Sequence, residues 1–199
     1  MDADAKFKLF FDAFNEAVTQ LYSKDGQPAI TLGFGSWRPV KGRMLTVVPM
    51  PLPAAETRLL TLFSRACADS IPADFFGLAM DAWHAFYDEG ADEEPGYKPP
   101  SERPDRQEGV AVFVYRRQAI PLASAAYWEV KRGPDGGRLP LERAQGGPHF
   151  TGGRALEWSS QVLTPDEPDK LRVSLARVFM PAVTALVELR CAKANSPSP

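Results

Sequence analysis

Proline constrains what this chain can fold into more than any other residue. It fills 19 of 199 positions, and because its ring fixes φ and removes an amide donor, it ends helices and is confined to sheet edges. The windows between prolines are short, so the fold must be built from brief elements and many turns. One early window is long. From Asp4 to Ser23, Phe7, Phe10, Phe11, Phe14, Val18 and Leu21 recur every three or four residues, which predicts a helix. After the Asp25-Gly26-Gln27-Pro28 turn, Ala29–Phe34 and Met44–Pro49 read as a hairpin around a Gly35–Gly42 loop. Pro49, Pro51 and Pro53 are expected to stop the sheet. Ala54–Ala68 then returns to helical spacing through Leu59, Leu60, Phe63, Ala66 and Cys67.

The segment Asp74–Tyr87 fits two patterns. Phe76, Met80, Trp83 and Tyr87 make a helical stripe, whereas the aromatic content favours a strand with two largely apolar faces. Asp88–Glu108 is polar and proline-rich and reads as a long exposed loop. Val110–Tyr115 and Leu122–Lys131 form the most strand-like pair, and Gly133–Gly137 is a turn. Leu139–Arg143 and Ala155–Ser160 are further strand candidates, and Asp169–Arg190 is a helix that Pro181 kinks or splits. The expected fold is one α+β domain over residues 1–194, followed by a disordered tail at 195–199. Its N-terminal, middle and C-terminal helices would pack on one face of a mainly antiparallel sheet.

Composition narrows the function classes. The chain is 44% hydrophobic with a net charge of -2 and pI near 5.8, an ordinary globular balance that argues against a protein built chiefly to neutralise phosphates. The acidic start, Met-Asp-Ala-Asp-Ala-Lys, is unlike an export signal, and no apolar run is long enough for a membrane span, so a cytoplasmic location is expected. Cys67 and Cys191 lie in helical patterns and read as buried hydrophobes. With two histidines and no metal-ligand spacing, neither a metal nor another cofactor is expected.

Met80 to Val114 resembles an uncharacterised family from phage and prokaryotic genomes. There a strand ending in Ser-Glu-Ala-Trp precedes a Pro-Ser-x-x-Pro-Asp-Arg-x-Glu loop and a valine-rich strand. Here Asp81-Ala82-Trp83 stands at the first motif, with Met80 and Asp81 in place of the serine and glutamate. Pro100-Ser101-Glu102-Arg103-Pro104-Asp105-Arg106-Gln107-Glu108 stands at the second, before Val110–Tyr115. The resemblance implies a strand at Asp74–Tyr87 and a mobile-element origin, with no particular activity.

Several residues could carry chemistry. Asp81, Asp105, Arg106 and Glu108 could gather where strands meet the loop, with the planar Arg106 guanidinium clamping carboxylates as scaffold. Alternatively, Asp81 and Glu108 could act as a general acid/base pair, with His149 in the Gly146–Gly153 loop. His84, between Trp83 and Ala85, reads as a packing residue. Charge is uneven: residues 81–108 carry nine acidic against three basic side chains, and 109–154 carry seven basic against three acidic. Arg116, Arg117, Lys131, Arg132, Arg138, Arg143 and Arg154, interleaved with Tyr115, Tyr127 and Trp128, could form a face for single-stranded nucleic acid. They equally suit a solvated strand face that resists aggregation. The leading expectation is a non-enzymatic accessory binding protein whose partner is another protein, touching it through Trp83, Asp105, Arg106, Arg116, Tyr127 and Trp128. A small hydrolase or transferase and a single-strand binder are the alternatives.

Overall fold

The structure is a computed structural model that describes residues 2–22, 30–40, 43–50, 57–70, 73–84, 98, 102–117, 122–144 and 159–163. Helix α1 spans Ala3–Tyr22, and strands β1 and β2 span Ile30–Val40 and Arg43–Met50. Helix α2 (Thr57–Ser70) follows, then β3 (Phe75–His84), β4 (Gln107–Arg116), β5 (Leu122–Glu129) and the two-residue β6 (Glu142–Arg143). All neighbouring strands are antiparallel, in the order β2-β1-β3-β4-β5-β6. The fold is therefore α+β, with the antiparallel sheet expected from the sequence.

The two helices do not share a face of the sheet. Side chains alternate along a strand, and here both alternating sets are apolar. Phe75 and Ala79 of β3, Val110, Val112 and Val114 of β4 and Ala126 of β5 pack with Phe7, Phe10, Phe14, Val18 and Tyr22 of α1. Phe76 and Leu78, Ala111, Phe113 and Tyr115, Tyr127, and Ile30, Leu32 and Phe34 of β1 pack with Leu60, Phe63, Cys67 and Ala68 of α2. A sheet with two apolar faces needs cover on both, so α1 and α2 lie on opposite sides. The one-face arrangement is corrected accordingly. The C-terminal helix and the tail at 195–199 lie outside the described residues.

Three local expectations also shift. Within Asp74–Tyr87, Phe75–His84 forms strand β3, paired with β1 and β4 along Phe75–Met80, and residues 85–87 lie outside the described residues. Pro49 does not end β2: it sits opposite Thr31 within the ladder, tolerated because β2 is at the edge of the sheet. Ser159 and Ser160 belong to a helical turn rather than a strand, with the Val162 amide donating to the Ser159 carbonyl.

Helix α1 lies close to the sheet because of two glycines. Gly33 of β1 and Gly77 of β3 face each other across the ladder. The Phe14 ring rests on both: a Cβ at Gly33 would stand 2.6 Å from Phe14 Cδ2, and one at Gly77 would stand 2.5 Å from Phe14 Cε1. Phe10 continues this aromatic layer, stacking on Phe14 at 6.1 Å and on Phe75 at 5.2 Å between ring centroids.

Candidate functional site

On the α1 side, apolar character stops at the same level in the two central strands. Along β3 the residues on this face run Phe75, Gly77, Ala79, Asp81, Trp83; along β4 they run Val114, Val112, Val110, Glu108. The register pairs Asp81 with Val110 and Trp83 with Glu108. Helix α1 ends nearby, at Tyr22, whose hydroxyl donates to the Ala79 carbonyl at 3.2 Å. Beyond that point lies a cluster of charge.

The cations come from a ribbon that extends β5. Arg132 and Arg138 face each other as a bridge, and the Leu139 amide donates to the Lys131 carbonyl at 2.8 Å. Gly136, at φ 79°, supplies the left-handed residue that closes the turn, while the Gly133 amide donates to the Gly137 carbonyl. The ribbon returns both arginines to the sheet. Arg132 grips Glu108 with two hydrogen bonds, Nε to Oε2 at 3.0 Å and Nη2 to Oε1 at 2.9 Å. Arg138 Nη2 bridges Glu108 Oε1 at 2.9 Å and Asp81 Oδ1 at 3.2 Å. The Arg138 side chain is only 11% exposed. Burial lifts the Asp81 carboxyl above its ordinary pKa, against the opposing pull of Arg138. Tyr22 is also raised, by burial first and by the Asp81 charge in smaller part.

The clamp on Asp81 and Glu108 is thus made by Arg132 and Arg138. Arg106 instead places its guanidinium over the Trp83 ring, 4.4 Å from the centroid. Asp105 is held by Arg103, Nε to Oδ1 at 2.8 Å and Nη2 to Oδ2 at 2.6 Å, and this bonding draws the exposed Asp105 carboxyl below its ordinary pKa. Trp83 is 45% exposed. The structure therefore brings Asp81, Trp83, Arg106 and Glu108 to one end of the sheet. His149 and the Gly146–Gly153 loop lie outside the described residues, as does the His84 side chain.

The remaining binding candidates are dispersed. Arg116 pairs with Asp4 of α1 and lies over the Phe7 ring at 5.9 Å. Trp128 faces α1, where its indole Nε1 donates to Asn15 Oδ1 at 3.0 Å; Asn15 Nδ2 in turn donates to the Phe11 carbonyl. Tyr127 is buried on the opposite face, its hydroxyl donating to the Gln107 carbonyl at 3.3 Å. Arg117 Nε donates to the Ala73 carbonyl, and Lys131 pairs with Glu142. Among the described residues, these groups bind the fold together from two faces and do not make one basic, aromatic surface; Arg154 lies outside them.

Sequence reasoning missed the role of Arg132 and Arg138, which it read as part of a nucleic-acid face or of a solvated strand face. The Gly133–Gly137 turn between them was the available signal, since a tight turn sets its flanking residues opposite one another. Among the described residues, no three of histidine, cysteine, aspartate and glutamate come together as a metal site, and no helix is long and apolar enough to cross a membrane. Chemically, the cluster is two carboxylates and two guanidiniums that neutralise each other. No family model, curated protein or solved structure matches this chain.

Proposed function

We propose that this chain is a non-enzymatic accessory binding protein that docks another protein through the Trp83–Arg106 end of its sheet. The observation that carries this reading is Trp83: a large aromatic, 45% exposed, on a central strand with Arg106 stacked over it. Tryptophan and arginine are among the side chains most often found as anchors in protein interfaces, and strand β3 presents Trp83 with little entropy left to lose. The adjoining carboxylates fit a scaffold better than a reaction. A general acid or base must exchange protons with a substrate, whereas Glu108 is already hydrogen-bonded by Arg132 and Arg138 and Asp81 by Arg138. The dispersal of Arg116, Tyr127 and Trp128 weighs against a nucleic-acid face.

A mobile-element origin belongs to this reading on the strength of the Pro100–Glu108 motif, and a cytoplasmic, cofactor-free protein is its natural setting. The test compares the wild type, Trp83→Ala and Arg106→Ala, matched for folding by circular dichroism, as baits in cells that naturally contain the chain. A partner protein held by the wild type and lost by both variants supports the reading. A partner held equally by all three overturns it.

A further inference from the structure

We propose that the ribbon Lys131–Leu139 is a strap latched to the sheet by charge, which opens when those charges are screened or removed. This inference stands apart from the Trp83 reading.

Among the described residues, ion pairs tie the ribbon across to its neighbours. Arg132 and Arg138 hold Glu108, Arg138 also holds Asp81, and Lys131 holds Glu142. The ribbon's large apolar side chain, Leu139, is 44% exposed, so it adds little hydrophobic anchorage, and Pro134, Asp135 and Gly136 at the turn are exposed as well. This contrasts with β4, where Val110 to Tyr115 are all buried. An isolated two-stranded ribbon is marginal in water, so the internal Gly133–Gly137 and Lys131–Leu139 hydrogen bonds depend on the latch. Glu108 is its keystone, because it receives both arginines. Once released, the strap would offer Arg132 and Arg138 to solvent and leave Asp81 and Glu108 as an acidic pair.

Amide hydrogen exchange tests the latch on the intact chain. Raising salt from about 0.02 M to about 1 M shortens the screening length to about 3 Å. The Gly133 and Leu139 amides are then expected to exchange about tenfold faster, while Leu78 and Phe113 in the β3–β4 ladder keep their rates. Glu108→Gln should give fast ribbon exchange already at low salt. The proposal is overturned if the ribbon ignores salt, if ribbon and ladder accelerate together, or if Glu108→Gln exchanges as slowly as the wild type. Because the salt comparison uses the unaltered protein, misfolding of the variant would not rescue or sink the idea.

Discussion

The two faces of the sheet are built from the same strands and solve different problems. Among the described residues, the α2 face is apolar along Phe76, Leu78, Phe113 and Tyr115, where the Tyr115 and Ser159 hydroxyls share a buried hydrogen bond of 2.7 Å. The α1 face is apolar only as far as Ala79 and Val110, then turns charged at Asp81 and Glu108. One face is closed by packing; the other is closed by packing at one end and by ion pairs at the other. The charged end is accordingly where stability should depend on solution conditions and where a partner could be recognised.

The comparison is broken most severely at Phe14. Phe14→Ala should cost about 4 kcal/mol, near the middle of the range for buried phenylalanines, because the two glycines beneath it carry no side chains to fill the void. Leu60→Ala, its counterpart on α2, should cost less, about 3 kcal/mol; denaturant unfolding of both variants would check the order. Equal losses would mean that the glycine floor has no special effect.

Arg138→Met is expected to cost about 2 kcal/mol, since it leaves two carboxylates close together and partly desolvated. Asp81→Asn should change stability by less than about 0.5 kcal/mol at neutral pH, and the interest lies in its pH dependence. A carboxyl whose pKa is raised on folding binds a proton more tightly in the folded state. Its contribution therefore increases stability as pH falls through the window between its ordinary value of 3.8 and its higher folded value. Comparing thermal unfolding of the wild type and Asp81→Asn across that window should show this increment in the wild type alone.

The smallest effect belongs to the α2 face. Burial pushes the Cys67 thiol up to about 12, so at neutral pH it is protonated and unreactive. In a Cys191→Ser background, a thiol reagent should label Cys67 only on unfolding. Prompt labelling of the folded protein would show that the α2 face opens to solvent in the native state.

How much of this could be read from the sequence depends on whether the signal was local. The α1 stripe was legible because Phe7, Phe10 and Phe14 repeat within one element. Val110–Tyr115 was legible as a strand because its apolar run is short and β-branched. The division of the helices between two faces was not legible, although the doubly apolar pattern of Phe75–Met80 implied a need for it. Periodicity gives the faces of a strand without saying which helix covers each. Asp81 and Glu108 stood out as candidates, but their partners lie 57 and 24 to 30 residues away. Closeness in sequence to Asp105 and Glu108 pointed to Arg106 as the clamp, which the structure places on Trp83.

Phe14, Gly33 and Gly77 occupy three separate elements yet share a single volume, and that sets terms for how this sequence can change over descent. Enlarging either glycine collides with the ring, and shrinking the ring alone leaves a hole. A methyl group gained at Gly77 together with a smaller residue at Phe14 would conserve the volume. The three positions should therefore drift as a set, each substitution acceptable only in the company of another, so that a lineage would carry its history at this crossing as paired changes.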